Sequence, residues 1–93
     1  MNKIVITRHQ GLVDYLIEKK IVNEGVEVLD HATPKNVRGR HVVGVLPHSL
    51  SCLTASFTEV PLFLPAELRG KELSVEQVRK YAQPAVTYVI RRV

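Results

Sequence analysis

The stretch KIVITRHQGLVDYLIEKK, residues 3–20, changes its apolar period midway. Lys3–Thr7 is a β-branched run bounded by Arg8-His9-Gln10-Gly11 and reads as a short buried strand. From Gly11 to Lys20, Leu12, Tyr15, Leu16 and Ile17 recur at helical spacing, with Lys19-Lys20 in the last turn, where cations suit the helix dipole. A strand that passes at once into an amphipathic helix points to an α/β sheet.

The rest of the chain continues the alternation. Gly25 closes the connection to a second strand, Val26–Leu29, and His31–Arg40, with Pro34 and Gly39 and no periodicity, reads as a loop. His41–Leu46 is a third strand whose near-continuous apolar content suits a strand covered on both faces. Pro47 opens a helix with Leu50, Leu53 and Phe57 as its stripe. Thr58–Leu64 is a fourth strand that Pro61 demotes to an edge or bulged position. After a loop over Pro65–Lys71, Ser74 caps a helix with Gln77 at capping-box spacing, and Val75, Val78, Tyr81 and Ala82 form its stripe. Pro84 ends that helix and Ala85–Val93 is the fifth strand. The expectation is one α/β domain over residues 1–93, a compact, mainly parallel five-stranded sheet flanked by about three helices.

Composition bounds the function. The 93 residues are 45% hydrophobic and 24% charged, a globular balance. The single cysteine, Cys52, excludes an internal disulfide framework and a multi-cysteine zinc site. No apolar run approaches the roughly eighteen residues of a membrane helix. Arg8 breaks the apolar run that follows Met1-Asn2-Lys3 too early for a secretory leader, so a soluble cytoplasmic protein is expected. The net charge is +4, and no carboxylate occurs from His31 to Thr58, where Lys35, Arg38, Arg40 and three of the four histidines lie. Such a field favours an anionic partner.

Ligands of open α/β sheets bind beyond the carboxyl ends of the strands. That rule gathers Thr7, Arg8, His9, Gln10 and Gly11 after the first strand, and Asp30 and His31 after the second. Pro47, His48, Ser49 and Ser51 follow the third, leading into a helix whose free N–H groups favour anions. Arg69, Gly70, Lys71 and Glu72 follow the fourth, while His41 opens its strand and belongs to the opposite edge. Plainer readings compete: a loop histidine is usually solvated, Arg8 can pair with Asp14 or Asp30, Gly11 can serve only a tight turn, and Cys52 fits a small buried residue. His9, Asp30 and His31 are metal-ligand types, but the scarcity of other carboxylates at that edge argues for no metal and no cofactor. Five aromatic residues leave no stacking platform for an RNA-binding module. Gln10 interrupts the Arg-His-Gly motif of histidine phosphatases, and the chain is short for that fold. The cluster reads as an anion pocket with acid–base capability.

Thr7-Arg8-His9-x-Gly11, Gly44-Val45-Leu46-Pro47 and Arg69-Gly70-Lys71-Glu72-Leu73-Ser74 resemble, in the same order and over essentially the whole chain, a small accessory family of type III CRISPR systems, the sixteenth numbered family of the Csx series. The resemblance implies a Rossmann-like fold related to CARF domains, a homodimer, and a ring nuclease that cleaves cyclic tetra-adenylate to linear products and so ends antiviral signalling. The residue inventory suits that chemistry: with the ribose 2′-OH as nucleophile, the protein has only to align the sugar, neutralise phosphorane charge and move protons. Arg8, with Arg69 or Lys71, would meet the phosphate, and His9 would shuttle the proton or position the substrate. Thr7, Gly11, Pro47, His48 and Ser49 would cradle ribose and phosphate, with His31 in reserve. A non-catalytic binder that sequesters the ring would use the same pocket. Neither DNA nor a membrane is expected as partner.

Overall fold

The computed structural model describes residues 3–93; Met1 and Asn2, which entered the reading of the chain start, lie outside them. Strand β1 (Lys3–Ile6) leads to helix α1 (Gln10–Glu18), then strand β2 (Glu27–Leu29), the short helix α2 (Pro34–Val37) and strand β3 (His41–Gly44). A single-turn helix α3 (His48–Ser51), strand β4 (Ser56–Glu59), a 3-10 turn at Ala66–Leu68, helix α4 (Val75–Tyr81) and strand β5 (Val86–Tyr88) follow. The five strands run in the order β2-β1-β3-β4-β5. No helix among the described residues is long and apolar enough to cross a membrane.

Alternation along the central strands makes two cores. Val5 and Val43 face α1 and α4, where Leu12, Val13, Leu16, Leu73 and Val78 close over them. Ile4, Ile6 and Val42 face the other way, onto Val37 of α2, Phe57 of β4 and the flanking Leu50 and Leu53. Each fully buried side chain of this kind contributes roughly 1.5–3 kcal/mol, so covering both faces is what lets so short a chain hold a five-stranded sheet.

The sheet is mixed, not the mainly parallel sheet expected. Pairs β1–β2, β1–β3 and β3–β4 are parallel, but β5 lies antiparallel to β4, with Thr58 opposite Thr87. The reason lies in the excursion between them. The chain leaves β4, packs α4 beside α1, and returns along its own outgoing path. The Phe63 N–H donates to Tyr81 O (3.1 Å) and the Gln83 N–H to Pro61 O (2.8 Å), so β4 and β5 close a long hairpin.

Other expectations are corrected. Among the described residues four helices flank the sheet. The extra one, α2, sits inside the segment read as a loop and joins β2 to β3. Its Thr33 cap accepts from the Asn36 N–H (3.3 Å) while Asn36 Oδ1 accepts from the Thr33 N–H (3.1 Å). Helix α3 stops at Ser51, and Phe57, assigned to its stripe, belongs to β4. Strand β4 starts at Ser56 and ends at Glu59, short of Pro61, which has no N–H to continue a ladder. β3 ends at Gly44 and β5 at Tyr88, both earlier than expected. The capping box at Ser74 and Gln77 forms as read (3.0 and 3.2 Å).

Candidate functional site at the carboxyl ends of the strands

The Thr7 N–H donates to Leu29 O (3.0 Å), extending the ladder one residue past β1. Thr7 is buried, and its Oγ1 accepts from the His9 N–H (3.1 Å), which bends the chain out of the sheet. His9 is the N-cap residue of α1, and its carbonyl accepts from the Leu12 N–H (3.1 Å). Thr7 therefore turns the chain, and Arg8 and His9 stand on the turn.

Two adjoining depressions open there, of about 650 and 260 Å³, both lined by Thr7, Arg8, His9 and Asp30. Gln10, Val28 and Glu72 border the larger one, and Val45 the smaller. The Arg8 guanidinium lies 3.5 Å from His31 Nδ1. A guanidinium only donates, so that nitrogen faces it as an acceptor. Neither Asp14 nor Asp30 forms an ion pair with Arg8 among the described residues; Asp14 instead accepts from Gln10 Nε2 (3.0 Å). Arg8 thus keeps its charge available to a ligand. His9 Nδ1 is enclosed and stands 3.7 Å from Glu72 Oε1.

The other expected site residues fall elsewhere. Gly11 is buried under the backbone of Leu73 and Ser74 and does not line the cleft. Arg69 and Lys71 are exposed on the turn before Glu72, outside the cleft lining. Pro47 is the exposed N-cap residue of α3. His48 and Ser49 face a separate groove of about 420 Å³ with Cys52, Ile90, Arg91 and Arg92. Helix α3 is one turn of four residues, too short for a sizeable aligned dipole. His41, at the opposite edge, pairs its Nδ1 with Ser56 Oγ (2.6 Å). A depression of about 620 Å³ at that edge is bordered by Lys3, Lys20 and Arg40, but Arg40 is already tied to Glu27 (2.9 Å). Among the described residues no three His, Cys, Asp or Glu side chains gather as metal ligands.

A family model described as "Putative CRISPR-associated protein (Cas_VVA1548)" matches residues 4–91. The chain belongs to this CRISPR-associated family. The match runs from β1 to beyond β5, so the cleft and every residue bordering it lie inside the region that defines the family. No curated protein and no solved structure matches the chain.

Glu72 is the member of this site that the sequence placed at the right edge without giving it a role. Its signal is the segment that follows: Ser74 is the N-cap of α4, Leu73 precedes the cap and Val78 is its fourth helical residue. That is the spacing of a hydrophobic staple, and both apolar side chains are buried in one cluster. A stapled, capped start fixes the direction from which the chain arrives, and so the position of Glu72.

Proposed function

We propose that this CRISPR-associated protein is a ring nuclease that binds cyclic oligoadenylate, cyclic tetra-adenylate in particular, and opens it without a metal, ending the signal of a type III CRISPR system. The observation that carries this reading is that Arg8, which forms no ion pair among the described residues, and His9 share one cleft at the carboxyl ends of β1 and β2. Membership of a CRISPR-associated family supports the setting. In the reaction the ribose 2′-oxygen attacks the adjacent phosphorus, the P–O5′ bond breaks, and a 2′,3′-cyclic phosphate and a 5′-hydroxyl result. Arg8 neutralises the developing phosphorane charge, Thr7 holds the turn, and His9 moves the proton.

A tetra-adenylate ring has internal two-fold symmetry and is large for one cleft of this size, so the active species is a homodimer with two clefts facing one ring. Val45, 72% exposed at the mouth of the cleft, is an apolar group that a second copy would cover. The test is incubation of the purified protein with cyclic tetra-adenylate in EDTA, followed by separation of the products. Linear products ending in a cyclic phosphate are expected. An intact ring that stays bound would establish the sequestering binder instead, and an intact, unbound ring would refute both readings.

A further inference from the structure

Among the described residues, His9 Nδ1 is the buried side-chain polar atom left without a hydrogen-bond partner. The group facing it is the Glu72 carboxylate, at 3.7 Å, inside ion-pair range and beyond hydrogen-bond length. The His9 side chain nevertheless keeps 33% of its surface, so its exposure belongs to atoms other than Nδ1, and the residue lines the cleft. An imidazole nitrogen aimed at a carboxylate carries the proton, because a bare lone pair there would meet a second one; the opposite nitrogen is then the acceptor.

The segment carrying Glu72 is held firmly enough for this to matter. Its capping box and staple fix the start of α4. On the other side it abuts α1 backbone to backbone, since a Cβ built on Gly11 would lie 2.4 Å from Leu73 O. His9 caps the same α1, so both partners are referred to one helix.

We propose that Glu72 is a positioning residue for His9, accepting Nδ1–H and thereby presenting Nε2 to the cleft as a base. At 3.7 Å the pair stands about half an ångström outside hydrogen-bond length, a gap that rotation of the exposed Glu72 side chain closes in the free protein as in the complex. On the ring-opening reading, on which this step rests, Nε2 takes the 2′-OH proton as the 2′-O–P bond forms, and the departing 5′-oxygen is protonated by water. Asp30 lines the same cleft but forms no ion pair with His9.

The test is ¹⁵N NMR of the His9 ring in the full chain, at a pH where the imidazole is neutral. Wild type and Asp30→Asn are expected to carry the proton on Nδ1. Glu72→Ala moves it to Nε2, and Glu72→Gln, whose side-chain oxygen still accepts, restores the Nδ1 form. Glu72 is 70% exposed, so these substitutions spare the fold, which circular dichroism checks. Single-turnover cleavage of cyclic tetra-adenylate by Glu72→Ala should fall about 10²-fold with affinity unchanged. A wild-type proton on Nε2, or a tautomer indifferent to Glu72→Ala, overturns the proposal. If wild type shows the Nδ1 signature but does not cleave the ring, the pairing stands and the ring-opening reading falls.

Discussion

Gly11→Ala sets two effects of opposite sign against each other. Gly11 lies in the first turn of α1, where replacing glycine by alanine should stabilise the helix by up to about 1 kcal/mol. Its added Cβ, however, would stand 2.4 Å from Leu73 O and 2.8 Å from the Ser74 carbonyl carbon. Both contacts are backbone, on a segment pinned by the capping box, and neither can rotate away as a side-chain tip would. Overpacking costs about 1–3 kcal/mol, and a contact this short against backbone belongs to the upper part of that range, about 2–3 kcal/mol. The packing term wins, for a net loss of about 1–2 kcal/mol and a melting temperature roughly 4–15 °C lower in a domain of this size. Thermal and urea unfolding followed by circular dichroism measure it, with an unchanged urea dependence marking a true loss of stability. A variant as stable as wild type, or more so, would refute the close contact of α1 with the Glu72 segment.

Arg8→Ala and His9→Ala should differ in kind. Arg8→Ala weakens binding of cyclic tetra-adenylate by about ten- to a hundredfold, as loss of a charge-assisted contact does, and slows cleavage as well, whereas His9→Ala costs about 10²–10⁴ in single-turnover rate with affinity nearly kept. Equal affinity losses in the two variants would sink the division of roles. Hydrogen bonds from Arg79 Nε to both Glu18 oxygens (3.1 and 2.9 Å) hold that carboxyl below its ordinary range. A depressed carboxylate stabilises the fold above its unfolded-state pKa and loses that contribution as pH falls through the folded value, so Arg79→Ala should flatten the stability profile below about pH 4. The pair is exposed and the change small; an identical acid limb in wild type and variant would contradict it. Light scattering at micromolar concentration should give the mass of a dimer, and a monomer that retains turnover would refute the two-cleft arrangement.

What could be read in advance followed from how far each signal reaches along the chain. β1 and α1 were legible because residues 3–20 switch from a β-branched run to helical spacing within a few positions. Helix α2 has four residues, too few to show a period, and only its cap sequence, Thr33-Pro34-Lys35-Asn36, announces it. Phe57 fits a helical stripe with Leu50 and Leu53, but Ser56-Phe57-Thr58-Glu59 also alternates, and pairing of Phe57 with Val42 decides for the strand. The strand-end rule brought Arg8, His9, Asp30 and His31 to one place. It misplaced His48 and Ser49, because α3 packs on the opposite face of the sheet from α1. The role of Glu72 depends on a contact between residues distant in sequence, which no local pattern encodes.

That divergence of α1 and α3 also explains why a cleft exists at all. β1 and β3 are neighbours in the sheet, yet the chain leaves β1 towards the Val5 face and leaves β3 towards the Ile4 and Ile6 face. Side by side at their carboxyl ends, the two exits part and leave a crevice. Gly44 sits at the parting point with φ +136°, and a Cβ there would lie 2.0 Å from Ile6 O. Only glycine admits both that backbone and that approach, and beyond it the Val45 N–H still reaches Ile6 O (3.1 Å) before the chain turns away. Val45 is thereby left at the mouth of the crevice, opposite Arg8 and His9 of the neighbouring exit. The strand order that reverses between β1 and β3 and the polar residues that end β1 are therefore one feature: the topology opens the space, and Thr7-Arg8-His9 supplies its chemistry.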